Sequence, residues 1–163
     1  MTAPHIQTER IKLVPQTLEE VRARVEGMAA NQKAELSSEW LAQLQAATVD
    51  LWTLGFAIVH RADDTVIGAC GFKGPPGTDG IVEIAYGVAP DYQGHGYATE
   101  AAEALVAYAF NSGQVRVVRA HTFSEASAST RVLTKCGFQA VGEVIDPEDG
   151  LVWRWERQHD LTA

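Results

Sequence analysis

The chain has 163 residues, enough to bury one hydrophobic core and too few for two ordinary domains, so we predict a single domain over residues 1–163. Its formal net charge of −8 argues against nucleic acid as the main partner, because phosphate binding needs clustered lysine and arginine, and favours basic substrates. Residues 1–10 lack the apolar stretch of a secretion signal, and no apolar run has the length of a bilayer span, so we expect a cytosolic location and no membrane partner.

The first half of the chain alternates short strands and helices. Thr17 can cap the first helix with its hydroxyl, and turn residues separate the later strands. The predicted elements are a strand over 10–14, a helix over 18–28, a helix from Ser37 or Ser38 through Ala47, and antiparallel strands over 52–60 and 65–72 around a turn at 62–64.

The second half contains the clearest helix. Apolar residues recur at steps of three and four from Ala98 to Phe110, which predicts an amphipathic helix that ends near Gly113. A strand over 81–88 precedes it, after a Gly/Pro loop at 74–77. The remaining predictions are a strand over 115–122, a short helix capped by Ser127 that reaches Cys136 and is ended by Gly137, and strands over 138–144 and 152–157. This order is typical of a mixed α/β domain.

The cysteines and histidines of the sequence do not have the spacing of a metal site or a disulfide framework. Cys70 and Cys136 are far apart and have no CxxC or zinc-ligand spacing, so we interpret both as buried apolar side chains. The five histidines show no HExxH or other ligand spacing. We therefore expect no bound metal.

The turn between the strand over 81–88 and the amphipathic helix has the features of an anion site. Gly94 and Gly96 permit backbone angles and a close approach that side chains would block. The first turn of the helix adds unpaired N–H groups and a partial positive charge. Glycines also end strands simply to make turns, and neither the GxxxxGK[ST] pattern nor the third glycine of a dinucleotide site is present. The turn alone is therefore weak evidence for phosphate binding.

The wider context makes the prediction more specific. Gln93 to Ala98 fits the pattern [Gln/Arg]-x-x-Gly-x-[Gly/Ala], and in this the chain resembles the GNAT N-acetyltransferase superfamily. The segments that resemble its ribosomal-protein N-terminal acetyltransferase branch are Thr8-Glu9-Arg10, Glu83-Ile84-Ala85-Tyr86-Gly87-Val88, Tyr97-Ala98-Thr99-Glu100-Ala101 and Lys135-Cys136-Gly137-Phe138. The resemblance implies a mixed α/β fold whose mostly antiparallel central sheet is splayed at the cofactor strand, with helices on both faces.

The resemblance also implies acetyl-CoA as cosubstrate. The pantetheine arm would enter the gap beside the strand over 81–88, which Pro90 ends, and pair with backbone groups of Tyr86 and Val88. The N–H near Val88 is our candidate donor to the oxyanion. The pyrophosphate would be held by the turn, with His95 contributing its backbone N–H rather than its ring. The residues expected there are Gln93, Gly94, His95, Gly96, Tyr97 and Ala98.

In the superfamily the amine attacks the thioester directly, so the residues to find are a base and an acid. Glu83 is the candidate base, directly or through water; the alternative is a strand-surface carboxylate paired with a lysine or arginine. Ser129 is the candidate acid for the leaving thiolate, since Leu133 stands where many members have tyrosine. Ser127 replaces the asparagine that the branch uses near the pantetheine. Both serines could instead serve as helix caps.

Several other side chains carry two interpretations each. Arg131 and Lys135, one turn apart, could approach the cofactor phosphates or be solvated. Trp40 and Trp52 could pack in the core or form an acceptor wall. The acidic run Asp146, Glu148 and Asp149 could attract a basic acceptor or form an ordinary polar turn.

The predicted function is transfer of an acetyl group from acetyl-CoA to a primary amine, either a protein N-terminal α-amine or a small-molecule amine. The alternative is a non-catalytic acyl-CoA-binding sensor or interaction module, which Leu133 and Ser127 support. The sequence does not choose the acceptor or the oligomeric state, for which a homodimer is one option.

Overall fold

A computed structural model of the protein describes residues 6–33, 41, 51–123, 127–147 and 150–159. Trp40, Glu148 and Asp149 lie outside these residues. So does the predicted helix from Ser37 or Ser38 to Ala47, apart from residue 41.

Within the described residues the strands form one sheet of eight. They are β1 (Ile6–Gln7), β2 (Ile11–Pro15), β3 (Phe56–His60), β4 (Thr65–Phe72), β5 (Ile81–Val88), β6 (Val117–Thr122), β7 (Gln139–Asp146) and β8 (Gly150–Gln158), in the spatial order β1-β2-β3-β4-β5-β6-β8-β7. Neighbouring strands are antiparallel except β5 and β6, which are parallel. The prediction of a mixed α/β fold with a mostly antiparallel sheet is confirmed.

Two of the described helices begin at the side-chain caps that the sequence offers. The described helices are α1 (Leu18–Glu26), α2 (Ala30–Lys33), α3 (Leu51–Leu54), α4 (Tyr97–Asn111) and α5 (Ala128–Lys135). The Thr17 hydroxyl accepts a hydrogen bond from the backbone N–H of Glu20, and Ser127 forms a reciprocal capping box with Thr130 at the start of α5. Gly137, at φ 84°, follows α5 in the left-handed conformation expected of it. No helix in the described part of the chain has both the length and the apolar character needed to cross a bilayer.

The prediction of one strand over 52–60 is wrong at its start. Trp52 belongs to α3, and β3 begins only at Phe56, because Gly55 at φ 72° breaks the run. The short helix places the Trp52 indole 4.6 Å from the Phe72 ring and 5.5 Å from the Tyr108 ring, and leaves Trp52 8% exposed. Tertiary packing therefore overrides a local β pattern here, and the interpretation of Trp52 as a core residue is confirmed. The elements β1, α2 and the 3₁₀ turn Pro90–Tyr92 were not predicted.

The core lies between the sheet and α4. The α4 residues Ala101, Leu105 and Ala109 are fully buried, and Val82 and Ile84 of β5 belong to the same cluster. Cys70 and Cys136 are buried free thiols, as interpreted from the sequence. This packing fixes the start of α4 beside the end of β5. Residues 89–96, called the glycine turn below, connect the two elements.

Strands β5 and β6 separate along their length. Residues 81–83 pair with 117–119, and no pairing continues beyond Glu83 although both strands are described throughout. The predicted splay of the sheet at this strand is confirmed. Its consequence is an edge of β5, residues 84–88, that no strand of the described chain covers.

Candidate active site

The opening between β5 and β6 exposes backbone groups of two predicted residues. The N–H of Ala89 donates to Ile67 O at 2.7 Å, and the N–H of Lys73 donates to Glu83 O at 2.9 Å, so odd-numbered residues of β5 direct their backbone groups toward β4. Backbone direction alternates along a strand, so Tyr86 and Val88 direct theirs into the opening. They have the orientation that an added extended chain would need for pairing.

The glycine turn presents several backbone donors without acceptors. Gly94 and Gly96 have φ values of 79° and 84°, and Gly96 is the N-cap of α4. The N–H groups of residues 94–97 have no hydrogen-bond acceptor in the parts of the chain that the structure describes, and those of the first turn of α4 have no partner inside the helix. A β-carbon built on Gly94 meets no atom within 4 Å, so the surface of the turn is open. Such a group of donors at a helix N-terminus suits an anion.

Two side chains of the turn brace it rather than face outward. The Gln93 Nε2 donates to Val88 O at 2.9 Å, which occupies one backbone group at the end of β5. The ring Nδ1 of His95 lies 3.0 Å from Gln93 O. The ring thus braces the turn, and the contribution of the His95 N–H to cofactor binding stays a prediction.

Arg10 is a functional candidate that sequence reasoning missed. Its Nη1 donates to His95 O at 2.7 Å, and its guanidinium lies 4.7 Å from the centre of the Tyr97 ring. Its Nε lies 3.6 Å from Glu100 Oε2 in the first turn of α4. Arg10, the residue before β2, therefore contacts the helix end of the turn and adds a positive charge beside it. The one sequence signal was its place in the Thr8-Glu9-Arg10 segment.

Glu83 lies at the last paired position of β5, on the sheet face opposite Tyr86, and has two partners. Its Oε2 is 2.9 Å from Lys73 Nζ and 2.9 Å from His121 Nδ1. Burial raises the pKa of Glu83, but the hydrogen bond from His121 and the charge and hydrogen bond of Lys73 outweigh it, so this pKa lies below its ordinary value. The carboxylate is thus paired with a lysine, as one interpretation required, and it lies at the point where β5 and β6 separate. Its role as a base stays a prediction.

His121 and Arg154 extend this group across the sheet. Arg154 Nε donates to His121 Nε2 at 3.1 Å, and His121 is 12% exposed. Sequence reasoning examined the histidines only for metal spacing and so gave His121 no role. Its contact with Glu83 depends on the parallel pairing of β5 and β6, which local sequence patterns do not reveal.

The α5 side of the opening carries the two predicted serines. Ser127 Oγ accepts from the Thr130 N–H at 3.2 Å, so its hydroxyl caps the helix. Ser129 is exposed, and its carbonyl accepts from the Tyr86 hydroxyl at 3.4 Å. Burial raises the pKa of Tyr86 to about 12, although the hydrogen bond to Ser129 acts in the opposite direction. Tyr86 therefore ties β5 to the start of α5, next to the open strand edge.

The basic residues of α5 border a shallow cleft of about 290 Å³. Cys136 Sγ lies 3.6 Å from Thr99 O, which brings the C-terminal end of α5 beside the start of α4. Of the two candidates, Lys135 therefore lies at the end nearer the glycine turn, and Arg131 lies one turn further away. The residues lining the cleft are Thr130, Arg131, Thr134, Lys135 and Trp155.

Comparison with known proteins identifies the family. Residues 3–139 match the family model described as Acetyltransferase (GNAT) domain, which covers most of the chain. The chain belongs to the GNAT acetyltransferase family. The turn between β5 and α4 and the splayed strands are the features of this GNAT domain described above. In the described parts of the domain, no group of three or more His, Cys, Asp or Glu side chains could hold a metal ion.

Named relatives agree with this assignment. The chain is 33% identical over 93 residues to "Uncharacterized N-acetyltransferase p20" of Bacillus licheniformis, a match over 57% of this chain and 52% of the relative. It thus spans about half the length of that curated relative. The fold superimposes on a ribosomal-protein-S5-alanine acetyltransferase from Vibrio fischeri with a TM-score of 0.73, at 15% identity over 99% of this chain and 100% of the other. It also superimposes on RimL, a ribosomal L7/L12 alpha-N-protein acetyltransferase in complex with coenzyme A, with a TM-score of 0.72, at 16% identity over 96% of this chain and 99% of the other.

The GNAT fold brings most of the predicted residues to one opening. The open amides of residues 94–97, the free edge of β5 and Ser129 border the gap on the helix side, and Glu83 lies on the opposite face of the sheet. Ser127 and Gln93 use their side chains within the protein. Leu133, in the position where a tyrosine acid was considered, is fully buried in the core.

Proposed function

We propose that this GNAT domain is an N-acetyltransferase that moves an acetyl group from acetyl-CoA to a primary amine by direct attack in a ternary complex. The observation that carries the proposal is the row of backbone donors at residues 94–97, which lack acceptors within the described chain and stand at the mouth of an unpaired strand edge. Backbone donors at a helix start can bind a pyrophosphate even in a chain whose net charge is −8.

The residues fit the two parts of acetyl-CoA that need binding. The residues that surround the pyrophosphate in this proposal are Gln93, Gly94, His95, Gly96, Tyr97 and Ala98, and Arg131 and Lys135 on α5 would approach the phosphates. Ser127, the N-cap of α5, would lie beside the pantetheine arm. Acetyl-CoA supplies an activated thioester. The Val88 N–H would donate to its carbonyl oxygen, and the Tyr86 backbone would pair with the extended arm. Positioning two reactants in this way can lower the activation barrier by about 7–11 kcal/mol.

Two residues manage protons in the proposed reaction. Glu83 provides the carboxylate on the side from which the amine loses a proton, and Ser129 provides the hydroxyl for the leaving thiolate. A strongly basic group is needed less for an α-amine than for a lysine side chain, whose pKa values are about 8 and 10.4. A modest base such as Glu83, acting directly or through water, therefore suits an α-amine acceptor better than a lysine side chain. The names of the Vibrio fischeri enzyme and of RimL point to protein acceptors, and RimL to an α-amine, in the same fold.

The proposal is tested by measuring thiol release from acetyl-CoA with alanine- and serine-initiated peptides, spermidine and an aminoglycoside as acceptors. We expect release that depends on one of these amines, together with a rise in melting temperature on adding acetyl-CoA. A shift in melting temperature without release by any amine would favour the second candidate, a non-catalytic acyl-CoA sensor. That candidate is supported by the burial of Leu133 and by the use of the Ser127 hydroxyl as a cap. The absence of both signals would reject the proposal.

Ser129→Ala is expected to lower kcat about tenfold, because the leaving thiolate loses one hydrogen bond that stabilises it by roughly 1–1.5 kcal/mol. Binding of acetyl-CoA should change little, because the Ser129 carbonyl that contacts Tyr86 remains. Rapid-mixing measurement of thiol release checks the rate. Thr134→Ala is the matched control: it removes a hydroxyl from the same helix that donates to Thr130 O at 2.7 Å. Equal rates in the two variants would show that Ser129 is not the acid.

A further inference from the structure

A chain of four polar side chains crosses the sheet on the face opposite α4. It runs from Lys73 through Glu83 and His121 to Arg154, with contacts of 2.9, 2.9 and 3.1 Å. Glu83 is on β5, His121 on β6 and Arg154 on β8. These side chains therefore bridge β5 and β6 at the point where the two strands separate. His121 lies at the centre of this network, although no sequence pattern indicated a functional role for it.

The contacts of His121 fix its tautomer. An arginine side chain can only donate, so the hydrogen bond from Arg154 Nε requires a lone pair on His121 Nε2. A neutral ring then carries its proton on Nδ1, which lies 2.9 Å from Glu83 Oε2 and donates to it. A doubly protonated ring would lose the Arg154 bond. The network therefore orients the His121 ring, with the Nδ1 proton directed at Glu83 and the Nε2 lone pair accepting from Arg154.

His121 also lies where a proton acceptor would be useful. It is two residues beyond Arg119, the last β6 residue paired with β5, and so borders the opened part of the sheet. The helix side of the opening is taken by α5 and by Tyr86, whose hydroxyl reaches Ser129. An acceptor amine that approaches a thioester in the opening from the opposite face passes His121 and Glu83. A side chain that is 12% exposed can meet such a substrate while remaining shielded from bulk water.

We propose that His121 is the residue that takes the proton from the acceptor amine, and that Glu83 and Arg154 are positioning residues for its ring. The step breaks an N–H bond of the substrate ammonium and forms Nε2–H on His121, while the hydrogen bond from Arg154 is released. The nitrogen lone pair is then free to attack, the imidazolium is stabilised by the Glu83 carboxylate, and its proton returns to water after turnover. The inference rests on the proposed function and changes the role of Glu83 from base to support.

The experiment has a spectroscopic arm and a kinetic arm, both on the whole chain. Long-range 1H–15N spectra of the histidine rings, with the His121 signals identified by their loss in His121→Gln, are expected to show a protonated Nδ1 and an unprotonated Nε2. With the best acceptor from the thiol-release assay, His121→Gln is expected to lower kcat/KM by about 100-fold or more, the usual contribution of a positioned base. The shift in melting temperature with acetyl-CoA should persist. Glu83→Gln should cost less than His121→Gln.

His159→Gln is the matched control, because it makes the same substitution at a histidine that stacks on Phe110 and has no part in the proposed site; it is expected to stay within about threefold of the wild-type rate. A proton on Nε2 in the spectra overturns the inference whether or not an acceptor is found. So does a His121→Gln variant that folds and keeps its rate, or a Glu83→Gln variant that is slower than His121→Gln. If acetyl-CoA causes neither stabilisation nor thiol release with the wild-type chain, the proposed function fails instead, and the spectra still decide the tautomer.

Discussion

Gly94→Val is expected to abolish stabilisation by acetyl-CoA. Gly94 has φ 79°, and a β-carbon there points into space with no atom within 4 Å, on the surface where the pyrophosphate would lie. A branched side chain would occupy that space and press the backbone out of the conformation that aims its amides outward. At a ligand concentration of 100 times Kd the wild-type chain gains about 2.7 kcal/mol, and the variant should gain almost none. Thermal melts with and without acetyl-CoA measure the difference.

Gly113→Val separates the loss of binding from backbone strain. Gly113 has φ 76° and an equally open β-carbon position, but it lies after the C-terminal end of α4, away from the turn. Both substitutions should lower the melting temperature, because a left-handed backbone costs a side chain about 1–2 kcal/mol. Only Gly94→Val should lose the acetyl-CoA shift. If both variants keep it, the cofactor is held elsewhere and the turn is structural.

Leu133→Ala is expected to lower the free energy of unfolding by about 2–5 kcal/mol, the usual cost of a cavity at a large buried residue. Leu133 is fully buried and belongs to the cluster that joins α5 to the core. Chemical denaturation at neutral pH measures the loss. The rate of thiol release per folded molecule should change much less than the stability, because Leu133 offers no proton and faces the core.

Leu133→Met is the matched control, since it conserves volume and should cost less than about 1.5 kcal/mol. A small loss in Leu133→Ala, close to that of Leu133→Met, would mean that α5 does not depend on this contact. A large loss of turnover in well-folded Leu133→Met would give the position a catalytic part that its burial does not explain.

The contrast between Glu83 and His121 shows where sequence reasoning ended. Glu83 was found because a family pattern runs through β5, and its two interpretations stayed open because both depend on neighbours remote in sequence. Lys73 comes directly after the preceding strand β4, and His121 lies 38 positions after Glu83. The parallel pairing of β5 with β6 brings the ring to the carboxylate. Arg10 was missed for the same reason, since it reaches His95 of the glycine turn from the residue before β2, 85 positions away.

The sequence by itself determined the elements and conformations that depend on near neighbours. The apolar spacing predicted the long helix α4, the Thr17 and Ser127 hydroxyls predicted two helix starts, and the glycines of the turn predicted positive φ. These features follow from local sterics and from hydrogen bonds that span a few residues.

Only the tertiary structure decided which polar groups meet across the sheet and where a buried side chain overrides its local pattern. Trp52 joined a helix because its indole packs on Phe72 and Tyr108. The four-residue chain from Lys73 to Arg154 exists because strand order, which long-range burial sets, places β5, β6 and β8 side by side. Contacts between distant segments depend on the packing of the whole core, and local residue patterns do not encode them.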